Sequence, residues 1–475
     1  MLRATRAIPY DALMARTLRT NLPFRRIAVV VSGGGAFGAY EVGVLKTLEA
    51  IGLKPSIVAG ASAGALNAVA WVAAGFRIGP LEQVWRSLEP ASIGMRWTTL
   101  AWRAGGLFLL ALGLFEALVT WVGSGDLGMT ALLWWREAGR VGVPSALLDL
   151  LAWLLIAAIG LFIVRTARDA ETWLARFQSA KTDLRIRRIS AVLLVTWAVL
   201  HVLTWILGFP WPHRFSATLL TAAALAWFAN HPTSFGDRLR RALLTFLPEA
   251  KGRGLWSSGA RRRVLDTLVK AGDSKRLLGG ETRLILSALA LDTGRLAHFV
   301  NWSSDDGTFR EQVEGALGEV VSLQSVDQVL QAAIASSAIP MIFEPARVQG
   351  REFVDAVALS THPLQASIFA GADAALVIVV SPSGAPPHAP RPRNLMDIWA
   401  RYLDVANWHD LQREMRALPT SWASAKAPHR LCVVEPGEGL PGGVLAYSPR
   451  NAATLIKRGE QDAWGALERA GWIGV

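Results

Sequence analysis

The sequence predicts a mixed α/β fold with a mainly parallel sheet, interrupted by an all-helical apolar insertion. Three observations predict it. Residues 27–95 alternate short apolar β-branched runs with helical spacing, as parallel sheets do. Residues 96–245 carry four long apolar stretches of a different kind. From about residue 250 the alternation of strand and helix returns. At 475 residues the chain has room for two to four domains of roughly 100–200 residues each.

The order of elements follows from local pattern. Residues 1–26 form a basic tail with Arg3, Arg6, Arg16, Arg19, Arg25 and Arg26 against the single acid Asp11. No apolar core follows these charges, so a cleaved secretory signal is not expected. Tyr10–Leu22 has the spacing of a basic amphipathic helix, and a frayed, solvated tail is the alternative. Ile27–Ser32 and Ser56–Ala59 read as strands, Ala39–Ala50 and Ala63–Ala74 as helices. Beyond the insertion, Arg283–Leu291, Ala374–Val380 and Leu431–Val434 read as strands. Ser325–Ala335, Leu395–Ala417 and Asn451–Ala470 read as helices, and the Pro-rich stretch Ser381–Arg393 as a loop. The resulting divisions are 1–26, 27–95, 96–245 and 246–475.

Within the insertion, Gly105–Gly123, Ala146–Val164 and Ser190–Phe209 have the length and composition of bilayer spans, and Phe215–Asn230 is shorter. The connecting segment 165–189 holds seven basic residues, whereas 124–145 holds two and 210–214 one. Basic loops favour the cytoplasmic side. Four spans then give an in–out–in–out–in path with both flanking blocks cytoplasmic. Buried core helices or re-entrant hairpins would satisfy the same apolar pattern. Glu116 and His201 within the stretches are expected to face the interior of the bundle.

Composition narrows the function classes. Hydrophobic residues make up 52% and charged residues 18%, against about 25% charged in ordinary soluble domains. Disordered chains and coiled coils are excluded. The single cysteine, Cys432, excludes an intramolecular disulfide framework and a Cys-based zinc site. The net charge of +12 and the 20 tryptophans suit an anionic membrane lipid better than nucleic acid, for which no motif is present. Neither a metal nor a cofactor is expected.

Two short motifs carry chemistry. Gly33-Gly34-Gly35-Ala36-Phe37-Gly38 follows a strand and opens a helix. Glycines there free backbone N–H groups that, with the helix N-terminus, stabilise an anion or a developing oxyanion. The run also satisfies G-x-G-x-x-G, but the acid that a dinucleotide site needs at the end of the second strand is replaced by Gly60-Ala61-Ser62. The second motif, Gly60-Ala61-Ser62-Ala63-Gly64, is a G-x-S-x-G between strand and helix, the pattern of a turn that exposes a serine hydroxyl. A simple N-cap role for Ser62 would leave the glycine run unexplained. A serine nucleophile needs a base. His362, His388, His409 and His429 lie in undistinguished contexts, and one strand before the second is too few for an α/β-hydrolase order.

Taken together, SGGGAFGAYEVGVL (32–45) and GASAGALNA (60–68) resemble the oxyanion loop and nucleophile elbow of patatin-like phospholipases. Ala335-Ser336-Ser337-Ala338-Ile339-Pro340 with Phe343 and Pro345, then Phe353-Val354-Asp355-Ala356, then Asp373–Pro382, resemble that family's later segments in order. The resemblance covers 27–95 and about 280–385. It implies a three-layer α/β domain and a Ser–Asp dyad in which Ser62 attacks an ester carbonyl and Asp355 is the general base. Gly33, Gly34, Gly35 and Gly38 would supply the oxyanion hole, with Gly60 and Gly64 shaping the elbow. Two positions depart from the family pattern: Phe37 stands where Arg or Lys is usual, and Ala356 where Gly follows the acid. Asp373 is the fallback base, and Asp292 reads as a turn residue. The reading that results is a membrane-associated lipid acyl hydrolase, with acyl transfer as a related outcome. Its substrate would be a phospholipid or other lipid ester, and its active site would lie on the cytoplasmic side of the cell membrane. The alternative is a non-catalytic lipid-binding or scaffold protein of the same fold, supported by Phe37 and Ala356.

Overall fold

The structure is a computed structural model. It describes residues 17–18, 22, 24–95, 97–123, 150–151, 153–164, 254–382, 395–423 and 430–474, apart from 257, 279–280, 304–306, 317, 358 and 361. The chain divides into two compact units, residues 1–95 with 254–475, and residues 96–253.

In the first unit the β-branched run becomes strand β2 (Ile27–Val31), flanked by parallel partners on both edges. A central strand covered on both faces must be apolar throughout, and Ala28 to Val31 are fully buried. The alternation of side chains sorts them. Val29 and Val31 enter one apolar cluster, Ala28 and Val30 the other. The sheet runs β12 (Leu431–Val434), β11 (Ala374–Ile378), β2, β3 (Ile57–Ala61), β5 (Arg283–Ala290), β10 (Arg351–Val354) and β9 (Ala346–Val348). From β12 to β5 every pairing is parallel, and β10 and β9 are antiparallel additions. Strands β6 (Leu296–Val300) and β7 (Gly318–Ser322), which the apolar pattern does not single out, extend it from the opposite edge of β5.

Helices cover both faces, giving three layers. One face carries α1 (Gly38–Ala50), α2 (Ala63–Ala73), α3 (Gly79–Ser87), α5 (Gly259–Ala271), α7 (Val326–Ser336) and α11 (Pro449–Arg469). The other carries α6 (Gly307–Gly315), α8 (Leu364–Phe369), α9 (Leu395–Arg416) and α10 (Thr420–Ala423). Helix α1 crosses α11 at backbone contact. A Cβ on Gly43 would sit 2.0 Å from the Ile456 carbonyl oxygen, and one on Gly459 equally close to that of Tyr40. Helix α7 starts where the Ser325 hydroxyl accepts from the Gln328 N–H, and α11 where Ser448 accepts from Asn451 behind Pro449. Gly254–Trp256 (β4) pairs with Met341–Phe343 (β8) as a short parallel ladder. At the N-terminal end, Thr17–Leu18 (β1) pairs with Ile473–Gly474 (β13) as a short antiparallel one. The expected helix over 10–22 is therefore not continued through those two residues, and residues 1–16 lie outside the described ones. So does most of the expected loop at 381–393.

In the second unit, α4 (Trp97–Gly123) and the helical residues 150–151 and 153–164 pack antiparallel through small residues. A Cβ on Gly113 would meet the Ala157 N at 2.4 Å, and one on Gly160 the Leu110 N at 2.3 Å. Glu116 is buried. Among the described residues no helix is long and apolar enough to cross a membrane, so the expected bilayer-spanning insertion gains no support there. The stretches 190–209 and 215–230, with His201 and the charged loops 124–145 and 165–189, lie outside the described residues.

Candidate active site

Strand register brings Ser62 and Asp355 together. Along one edge of β5, β3 runs parallel and ends with Ala61 opposite Ser287. On the same edge β10 runs antiparallel and ends with Val354 opposite Leu289. The two strands thus arrive head to head, and the next residue of each sits beside Ala288. There the Ser62 hydroxyl donates to Asp355 Oδ2 at 2.6 Å. Both residues are buried, at 3% exposure each.

The elbow has the backbone that its glycines permit. Ser62 has φ 53°, ψ −125°, in the left-handed half of the map, a strained position for a serine that its surroundings must hold. Gly64 lets α2 start against β2, since a Cβ there would lie 2.3 Å from the carbonyl oxygens of both Val31 and Ser32. At Gly60 a Cβ would meet the Gly64 carbonyl oxygen at 2.7 Å.

The glycine run forms a short 3₁₀ turn, Gly35–Phe37, ahead of α1. Gly35 has φ +56°, and a Cβ there would collide with the Val444 carbonyl oxygen at 2.3 Å. Among the described residues no backbone carbonyl accepts from the N–H groups of Gly33, Gly34 or Gly35. The Gly38 N–H differs: it is directed to the carbonyls of Gly35 and Ala36. The expected fourth oxyanion donor is thus engaged in closing the turn. Asn67 fixes the start of α1 by donating to the Gly38 carbonyl (3.0 Å) and to Glu41 Oε2 (2.7 Å), while its own oxygen accepts from Trp85 Nε1. Burial pushes Glu41 up to about 8, so it sits neutral in this network at pH 7.

Three consecutive residues bracket the site. The Ser336 hydroxyl accepts from the Ser62 N–H at 2.9 Å and donates to the Ser287 carbonyl at 2.6 Å. The Ser337 hydroxyl and carbonyl accept from Arg261 Nη1. The Ala338 carbonyl accepts from the Asp355 N–H at 2.9 Å. Burial raises Asp355 to about 7, opposed by the Ser62 hydrogen bond, then by the charge of Arg261 and the Val357 N–H. Ala356 is not among the positive-φ residues, so the alanine that replaces the family's glycine meets no strain. An apolar cavity opens beside Ala63, walled by Leu66, Trp85, Leu88, Leu265 and Tyr447, with Arg261 on its border.

The other sequence candidates fall elsewhere. His362 pairs with Asp410 (3.0 Å) in a buried contact, and His409 lies exposed against Trp408. His388 and His429 lie outside the described residues. Asp373 caps the N–H groups of Arg25 and Arg26, and Asp292 pairs with Arg351 at the surface. No group of three or more potential metal ligands occurs among the described residues. Arg261 was not legible as a site residue, because it opens the run Arg261-Arg262-Arg263, which reads as a solvated face.

Comparison with known proteins agrees with this geometry at the level of family. A model of the family described as patatin-like phospholipase matches residues 29–226 and 156–368. Triacylglycerol lipase ptl3 of Schizosaccharomyces pombe is 39% identical over 69 residues, 14% of this chain and 14% of that protein. Triacylglycerol lipase 4 of Saccharomyces cerevisiae is 51% identical over 50 residues, 10% of this chain and 6% of that protein. The matched segment therefore spans only a small part of either curated relative. The crystal structure of VipD from Legionella pneumophila aligns with 94% of this chain and 67% of its own at 14% identity. Its TM-score is 0.34, too low to establish a shared fold.

Proposed function

The chain belongs to the patatin-like phospholipase family, and from that premise we propose that it hydrolyses fatty-acyl esters of lipids through Ser62 and Asp355. The observation that carries the reading is the buried 2.6 Å hydrogen bond from the Ser62 hydroxyl to Asp355. Ser62 Oγ attacks the acyl carbonyl carbon while Asp355 takes its proton. The tetrahedral oxyanion accepts from the N–H groups of Gly33–Gly35, each such donor being worth about 3–4 kcal/mol in acyl transfer. Collapse breaks the ester bond, and the proton on Asp355 passes to the leaving alcohol. Water then attacks the acyl-enzyme with Asp355 again as base, releasing the fatty acid. A lipid alcohol in place of that water gives acyl transfer.

The base must be ionised to act. With Asp355 held at about 7, the rate of covalent labelling by an uncharged fluorophosphonate rises with pH to a plateau, with its midpoint near that value. Labelling should vanish in Ser62→Ala and fall by at least about 10³-fold in Asp355→Asn. Retained labelling in Asp355→Asn would require another base. No labelling of folded wild type would favour the non-catalytic lipid-binding alternative.

The proposal extends to an anionic lipid surface on the cytoplasmic side of the cell membrane. Phe108, Leu114, Leu118, Leu155 and Phe162 are exposed on the helices of the second unit, and the basic residues of 165–189 flank them in sequence. Protease added to sealed, right-side-out cells should leave the block 27–95 intact, and cleavage there would refute the assigned side.

A further inference from the structure

Arg261 is a buried cation, 5% exposed, that forms no direct ion pair among the described residues. A buried, unpaired guanidinium is costly, and burial lowers Arg261 only to about 10, so it remains charged. The cost is offset by a rigid clamp. Nη2 donates to the Ser258 hydroxyl at 2.9 Å, and Nη1 donates to the Ser337 hydroxyl at 2.7 Å and to the Ser337 carbonyl. The guanidinium carbon lies 3.7 Å from the centre of the Phe343 ring. These partners fix the charge at the turn whose neighbouring residues, Ser336 and Ala338, hold the backbones of Ser62 and Asp355.

We propose that Arg261 is a positioning residue for the Ser62–Asp355 pair: its clamped guanidinium is the counter-charge of the Asp355 carboxylate and the anchor of the Ser336–Ala338 turn. The inference rests on the dyad reading above. Among the described residues, three side chains bear on Asp355 from the elements around it. Ser62 donates from the elbow, and Arg261 acts through its charge from α5. The Tyr447 phenol, ahead of α11, is kept protonated by burial and so adds no charge of its own. Glu41, neutral in its own network, bears on Tyr447 rather than on Asp355.

The test is the pH dependence of fluorophosphonate labelling in the full chain, with the modified residue identified by mass spectrometry. Removing the charge in Arg261→Met disfavours the carboxylate, so the midpoint should move up by about one pH unit or more. Labelling below the midpoint should then drop about tenfold. Arg261→Lys keeps a charge but not the forked clamp, and should label more slowly with a midpoint near that of wild type. Ser337→Ala loosens the clamp and keeps the charge, so its rate should fall equally at all pH values. An unmoved midpoint in folded Arg261→Met would overturn the proposal. Should that variant not fold, a midpoint in Arg261→Lys displaced as far as one unit would do the same. Wild type that labels at Ser62 without any pH dependence near 7 would instead count against Asp355 as base, a separate failure.

Discussion

The turn that carries Ser62 is shaped by glycines close to it in sequence, whereas the turn that carries Asp355 is held by residues far from it. Gly64 lies against the carbonyls of Val31 and Ser32, Gly60 lies against Gly64 and Ala65, and no Cβ fits at either position. Asp355 has no such neighbours. Its partners are Ala338 through the backbone, Arg261 through its charge, and the β5 edge through Val354. The nucleophile's turn is strained, at φ 53°, while the acid's turn is not. The difference teaches where sequence variation is tolerated. A position fixed by backbone clearance admits one residue, and a position fixed by distant hydrogen bonds admits any residue that leaves those bonds intact.

Three substitutions test this contrast. Gly64→Ala should have the largest effect, because its Cβ would meet two backbone oxygens that cannot move aside. Overpacking of this kind should cost about 3 kcal/mol or more and abolish labelling of Ser62. An unchanged urea midpoint would show that the elbow has slack. Ser336→Ala should follow, leaving the Ser62 N–H and the Ser287 carbonyl without their partner. The loss should be about 1–3 kcal/mol, and labelling should slow by about 10- to 100-fold as the hydroxyl drifts from Asp355. Wild-type labelling in that variant would mean that Gly60 and Gly64 suffice to aim the nucleophile. Ala356→Gly should be the mildest, costing no more than about 1 kcal/mol and leaving the labelling rate unaltered. Faster labelling would reveal a constraint at 356 that the backbone angles do not show.

Parts of this site were legible in the sequence because their causes are local. The run IAVVV can only be a strand covered on both sides, and GGGAFG and GASAG announce turns in which a Cβ does not fit. The match of ASSAIP to a later family segment pointed to the turn before the acid, but not to what each residue in it does. Arg261 gave no signal, since burial of one arginine in a run of three depends on which side of α5 meets Ser337 and Phe343. In the apolar insertion the hydropathy was legible, but not which of its residues meet a neighbouring helix. Hydropathy counts apolar residues without regard to their partners, and a helix that packs on its neighbour through Gly106, Gly113 and Gly160 has the same composition as one that faces lipid.

By itself the sequence determined the α/β class, the elbow and the anion-binding loop, because steric exclusion at glycine and the period of apolar residues act over a few positions. Only the tertiary structure decided that β3 and β10 end head to head on one edge of β5, that Gly38 closes a turn, and that Arg261 is clamped on Ser337, between the residues that hold Ser62 and Asp355. Those outcomes depend on strand register and burial across almost 300 residues of chain, and no local pattern encodes them.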